Sequence, residues 1–211
     1  MLGELQDVFD SPAFEDFGWA RIRGFDHNGS GLVVRLKIGF DDETVPSQNW
    51  QVRCSQVRGY RFTEAPVSSL QLASDHPLLL PFTEPHVQLS FRGQAPVPMA
   101  AVGTLWNTHE QATEGWIQLP HFLNPNLPLL QLIASGSGIL AEGPRLLLDQ
   151  YAKALEPHGL EFTRVGERAP KRWEGGRWQA EPSGLEVLLF GDSFVIGQGF
   201  TAERDLSPVA A

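Results

Sequence analysis

The sequence predicts an α+β fold. An N-terminal antiparallel β meander leads into a mixed part with one clear amphipathic helix at about 144–156 and with β hairpins toward the C-terminus. Three observations carry this expectation. Residues 17–40 alternate apolar and polar side chains with a period of two, on either side of a run of turn formers. Leu147, Leu148, Tyr151, Ala152 and Leu155 recur at helical spacing between Pro144 and Pro157. Residues 171–200 hold two further pairs of strand-like runs joined by short glycine-bearing turns.

In chain order, the first sixteen residues place Leu2, Leu5 and Phe9 on one face of a short helix, with an acidic outer face and no base. The runs 17–25 and 31–40 form a hairpin around His27–Gly31, with Leu32, Val34, Leu36 and Ile38 on the face that would be buried. The run 50–62 continues the meander with Trp50, Val52 and Cys54 on one face and a bulge or turn after it. Short alternating runs at 69–74 and 86–91 extend it, so that five or six strands are expected within 17–93. The prolines at 77, 81 and 85 place an irregular segment between those two runs.

Residues 98–113 read as helix slightly better than as strand, with Pro98 in the first turn and Met99, Val102 and Trp106 at helical spacing. The run 129–144 reads as a strand, a Ser-Gly turn and a second short strand, and 160–165 as another strand. Trp173 and Trp178 flank Glu174-Gly175-Gly176-Arg177 as a cross-strand pair. The segment 184–190 reads as a buried strand with 194–200 as its partner, and the tail from Ala202 is expected to fray.

Composition narrows the classes of function. A chain of 211 residues suits one domain, or two packed lobes at 1–95 and 96–211 with the break near 94–98. A single cysteine, Cys54, excludes an intrachain disulfide and a cysteine-rich zinc site. No leader-like start and no apolar run of membrane-spanning length is present, so a cytoplasmic protein without a membrane partner is expected. The formal charge of −9 argues against nucleic acid and permits a basic protein partner. No cofactor or metal is expected. The histidines lack ligand spacing, and 109–113 places Thr113 where a helical zinc signature needs its second histidine.

Three stretches invite a chemical reading. The segment "VLLFGDSFVIG" (187–197) resembles the first sequence block of the SGNH/GDSL hydrolases. That resemblance implies Ser193 as nucleophile, with Asp192 beside it, on a turn of a parallel α/β sheet. The pattern then departs: only 18 residues follow Ser193, the last histidine is His158, and the residues themselves read as a turn between antiparallel strands. The glycines of "GSGILAEGPR" (136–145) have phosphate-loop spacing, but Pro144 and Arg145 replace the Lys and hydroxyl residues. Only a weak anion site from Gly136, Ser137, Gly138 and Arg145 is left.

The third stretch holds the one basic cluster. It gathers Arg164, Arg168, Lys171, Arg172 and Arg177 around Trp173 and Trp178, with glutamates interleaved. Tryptophan and arginine are the residues on which protein interfaces concentrate their binding energy. The expected function is therefore a non-catalytic interaction protein of adaptor, inhibitor or immunity type. It would bind a partner protein, a basic one in the simplest case, through Trp173, Arg177, Trp178 and Arg172. The alternatives are a small hydrolase using Ser193 and a small-ligand or anion-binding protein.

Overall fold

A computed structural model of the protein describes residues 2–42 and 44–205. The chain opens with α1 (Gly3–Phe9), α2 (Pro12–Phe17), β1 (Gly18–Asn28), β2 (Gly31–Phe40), β3 (Gln48–Arg61) and β4 (Leu70–Ala73). It continues through a helical turn α3 (Leu80–Thr83), then β5 (His86–Arg92), α4 (Pro98–Thr113), α5 (Leu129–Ala134), β6 (Ser137–Pro144), α6 (Arg145–Leu155) and β7 (Glu161–Arg168). It closes with β8 (Lys171–Glu174), β9 (Arg177–Ala180), β10 (Glu186–Phe190) and β11 (Ser193–Asp205). The protein is of the α+β class, and all of its strand ladders among the described residues are antiparallel.

The chain divides into two compact units. One is built from residues up to Asp75 together with those from Gly184 onward, and the other is His76–Ser183. Residues 94–98, where the sequence offers a break, lie inside the second unit between β5 and α4.

The first unit is a six-stranded sheet in the order β1-β2-β3-β11-β10-β4. Its core follows directly from strand alternation. Leu32, Val34, Leu36 and Ile38 of β2 are buried with Trp50, Val52 and Cys54 of β3, and with Leu188 and Phe190 of β10. The β1–β2 connection is tighter than the five-residue loop expected. Strand pairing runs to Asn28↔Gly31, and Gly29 supplies a positive φ of 58° in the two-residue turn. The bulge expected after Cys54 is present: Gln56 has φ 52°, and the β3–β11 register shifts on either side of Gln198.

Both edges of this sheet meet one stretch of chain. Leu70–Ala73 pairs with β10 at one edge, while the Val67 amide donates to the carbonyl of Ala20 on the opposite edge strand at 2.9 Å. The sheet must therefore curl toward closure, which limits the unpaired strand edge. The α1 helix adds Leu2, Leu5 and Phe9 to the core, and α2 is capped by Ser11, whose Oγ accepts from the Phe14 amide at 3.2 Å.

The second unit has a three-stranded sheet in the order β6-β5-β7, covered by α6 and α5 with α4 packed against both helices. The amphipathic helix predicted at 144–156 is α6, and its five apolar positions are all buried. A polar link ties this core together. His109 on α4 is fully buried. Its Nε2 donates to the Ile117 carbonyl at 2.6 Å, and its Nδ1 accepts from the Tyr151 hydroxyl of α6 at 2.5 Å. A carbonyl can only accept, so the proton sits on Nε2 and the tautomer is fixed.

Four sequence expectations need correction. The strand runs within 17–93 do not make one meander. Only β1–β3 are consecutive neighbours, the strand beside β3 is β11, and β5 belongs to the other sheet. Residues 129–134 are helical, because a short apolar run after a proline has too few residues for its period to decide. The core face of α4 is Ala101, Leu105, His109 and Thr113, whereas Met99 and Trp106 are 63% and 50% exposed. Small and hydrogen-bonded side chains let α4 approach α6 closely, which a hydrophobicity pattern does not register. Finally, the tail does not fray at Ala202: Ala202–Asp205 pair with Asn49–Val52, and residues 206–211 lie outside the described residues.

The α4 assignment gives a direct prediction. Leu105→Ala should lower unfolding stability by about 2–5 kcal/mol, whereas Met99→Ala and Trp106→Ala should each change it by no more than about 0.5 kcal/mol. Urea denaturation followed by far-UV circular dichroism on the full chain distinguishes the two faces.

Candidate functional site

The 171–180 hairpin carries the features most unlike ordinary structure. β8 and β9 form their own two-stranded sheet, with Trp173 directly opposite Trp178 and Glu174 opposite Arg177, turning at Gly175-Gly176. The four-residue loop of the sequence reading is thus a two-residue turn, made possible by glycines with φ of 59° and 79°. The indoles meet edge to face, with centroids 5.5 Å apart.

The polarity of this hairpin is inverted. Side chains alternate between its faces, so Lys171, Trp173 and Trp178 share one face while Arg172, Glu174, Arg177 and Gln179 share the other. Trp173 and Trp178 are 61% and 65% exposed, while Arg172, Glu174 and Gln179 are only partly exposed. Arg172 and Glu174 are joined by an ion pair at 2.5 Å. The hairpin therefore turns both indoles to solvent and partly buries Arg172, Glu174 and Gln179, while Arg177 stays exposed at the turn.

Beside the aromatic face lies an open cleft of about 720 Å³, lined by His86, Glu142, Glu167, Arg168, Lys171 and Trp178 among others. Both carboxylates are already engaged, Glu142 with Arg168 and Glu167 with Arg145 at 3.2 Å. His86 is oriented by its Nε2, which donates to the Pro81 carbonyl at 2.9 Å. Among the described residues, Lys171 has no carboxylate partner, and neither does Arg177 in the neighbouring strand. Of the predicted interaction residues, the structure thus exposes Trp173 and Trp178 on one face, and places Arg177, exposed, and Arg172, half-buried, on the other.

The chemical readings of the other stretches are not assembled in space. Ser193 is 1% exposed and starts β11 directly after the Gly191-Asp192 turn. Its Oγ accepts from the Thr63 amide at 2.9 Å and lies 3.2 Å from the Thr63 hydroxyl. Among the described residues no histidine or carboxylate hydrogen-bonds to it, and the sheet that carries it is antiparallel rather than the parallel one the hydrolase resemblance implies. A buried, strand-bound hydroxyl cannot meet a substrate.

Gly136–Gly138 and Arg145 are separated by the length of β6, about 23 Å for seven extended residues. Arg145 is spent on Glu167, so the anion site is not formed. Among the described residues no group of three or more His, Cys, Asp or Glu side chains is placed to hold a metal. His76 accepts from the Leu78 amide and packs on Trp116, apart from the contacts of His86. Cys54 is buried, and desolvation pushes its thiol up to about 11, so it is a core residue rather than a nucleophile.

One surface escaped the sequence reading. Phe25 of β1 packs on Tyr60 of β3 and on Phe62 just after it, with centroids 5.3 and 4.8 Å away, and His27 stacks edge-on against Tyr60. Phe25 and Tyr60 stay 43% and 39% exposed. The signal was available in the terminal aromatics of two alternating runs, but only sheet curvature could show that they meet.

Two outcomes test these assignments. Ser193→Ala should cost about 0.5–1.5 kcal/mol by removing the bond to the Thr63 amide, and the wild-type protein should acquire no adduct from a fluorophosphonate probe read by intact mass. For Cys54, the folded thiol holds its proton more tightly than the unfolded one, whose reference value is 9.0. Stability is therefore fully present below pH 9 and falls as pH rises toward about 11. Cys54→Ala should flatten that part of a pH–stability profile.

No protein-family model, curated protein or solved structure matches this chain, so the reading of its surface rests on the geometry above.

Proposed function

We propose that this chain is a non-catalytic interaction protein, an adaptor or inhibitor, that engages a partner protein through the exposed face of the β8–β9 hairpin. One observation carries the reading. A hairpin held for stability alone would bury its tryptophans, and this one leaves both largely exposed while turning Arg172 and Gln179 inward. Each indole leaves most of a large apolar ring in water, and covering two such rings is the kind of burial that dominates interface energetics.

The hairpin geometry limits the entropic cost of binding. Cross-strand pairing at Lys171↔Ala180, Arg172↔Gln179 and Trp173↔Trp178 fixes the backbone, and the edge-to-face contact restrains both rings before a partner arrives. The adjoining cleft gives a partner side chain somewhere to insert next to Trp178. Nothing in this surface supplies a nucleophile with a base, which favours recognition over catalysis.

The acidic balance of the chain is uneven. The unit that contains the hairpin has eight basic and ten acidic residues, while the other has eight and fifteen. Attraction toward a basic surface, as first expected, is therefore a property of the first unit and of its acidic N-terminal helices rather than of the hairpin.

The test is capture from native host lysate with full-length protein, read by mass spectrometry. Wild type should recover one partner in near-stoichiometric amount. The Trp173→Ala/Trp178→Ala variant should lose it while keeping its thermal midpoint within a few degrees, since about 0.5–1.5 kcal/mol of ring pairing is removed. Equal capture by both proteins would refute the hairpin as the contact.

A further inference from the structure

The charge pattern around the aromatic face identifies what it is built to hold. We propose that the cleft between the β8–β9 hairpin and the end of the β5–β6–β7 sheet binds an extended partner segment in which a carboxylate side chain neighbours a bulky apolar one. This inference rests on the hairpin reading above and adds to it the chemistry of the partner.

The argument begins with what the cleft already satisfies. Of the four ionised side chains lining it, Glu142 is paired with Arg168, and Glu167 with Arg145 from the start of α6. Those pairs cancel, so neither carboxylate is left to recruit a cationic group. Lys171 is the remaining charge, and it has no anionic partner among the described residues. A basic ligand would thus meet one uncompensated ammonium and two occupied carboxylates, whereas an acidic ligand meets one open donor group.

Spacing gives the second element of the pattern. Lys171 and Trp173 are two residues apart on one strand, and Trp178 lies opposite Trp173, so the ammonium and both rings lie on one face. Trp178 lines the cleft together with Lys171. A bound chain in extended form presents same-face side chains about 7 Å apart, a distance that lets one reach Lys171 while the next covers an indole. Arg177 pairs opposite Glu174 on the other face of the hairpin, so Lys171 alone supplies the positive charge on the aromatic face. The segment 161–178 holds five bases against three acids, so the local field has the same sign as the contact.

The competing features of this unit carry less. The outer edge of β7 is exposed, but it bears Glu161, Arg164, Glu167 and Arg168 and a register shift between Val165 and Arg168, devices that protect an edge from pairing. The Met99–Trp106 flank of α4 has no charge pattern that selects an occupant.

The experiment is selection of random twelve-residue displayed peptides on the full-length protein. Fluorescence anisotropy of the enriched peptides then follows, on wild type and on Trp178→Ala, Lys171→Ala and Lys171→Glu. These side chains are exposed, and circular dichroism confirms that each variant is folded. Enriched peptides should carry Asp or Glu next to or two residues from Phe, Tyr, Trp or Leu. Their affinity should fall at least about tenfold in Trp178→Ala and about threefold in Lys171→Ala, and further in Lys171→Glu, with weaker binding at higher salt. Peptides that need Trp178 but show no acidic preference, or prefer Lys and Arg, would overturn the carboxylate assignment and leave the hairpin as the contact. Enrichment indifferent to Trp178, or no enrichment, would overturn this inference, and unchanged lysate capture by the double tryptophan variant would separately overturn the hairpin reading.

Discussion

The ladder between β3 and β11 is the pairing on which the first unit depends. It joins residues 49–61 to residues 194–205 and supplies the centre of the six-stranded sheet. Without it, β1–β3 would be a three-stranded meander with one side of its core open, and β11, β10 and β4 would form a separate three-stranded piece. Such a contact spans most of the chain, so its loop-closure entropy must be offset by the burial it brings, including Leu188, Phe190, Val195 and Phe200. A second ladder in the same sheet, β4–β10, lets the chain between Asp75 and Gly184 form a unit of its own. The strands flanking it, β4 and β10, are paired neighbours with Ala73 opposite Val187, so the intervening residues leave and return at adjacent positions.

Ser193 shows how a local motif is overruled by its place in this ladder. A Gly-Asp-Ser turn after an apolar strand is chemically suggestive only if the hydroxyl emerges from the sheet. Here the turn is the shortest connection between β10 and β11, and pairing of Phe190 with Ser193 starts the return strand at once. The hydroxyl then does structural work, receiving the amide of Thr63 just beyond the end of β3. The three residues that resemble a catalytic block are those that any tight antiparallel turn with a buried follower would favour.

The second unit distributes its polar residues by a different logic. His109 is a titratable side chain in a fully apolar setting. It is retained because the Ile117 carbonyl and the Tyr151 hydroxyl satisfy both ring nitrogens, and burial pushes the tyrosine pKa further up. That bond joins α4 to α6 with directional specificity where a leucine would add only volume. At the hairpin the accounting differs, with Arg172, Glu174 and Gln179 partly buried and both indoles turned out. The core thus obeys burial, while the two indoles of the hairpin depart from it.

The sequence by itself determined the α+β class, the β1–β2 hairpin, the amphipathic α6 and the facing tryptophans, because each is encoded by periodicity or turn chemistry within about twenty residues. Only the tertiary structure decided which strands are neighbours, that α4 buries Leu105 and His109 rather than Met99 and Trp106, and that 129–134 is helical. Those outcomes depend on contacts between distant segments, whose energies no local period records. The same division applies to the candidate site. Trp173 and Trp178 are legible as a pair from their spacing around two glycines. That they face solvent beside Lys171, while Glu142 and Glu167 are neutralised by arginines 26 positions later and 22 positions earlier in the chain, follows from how sheet, helix and hairpin meet.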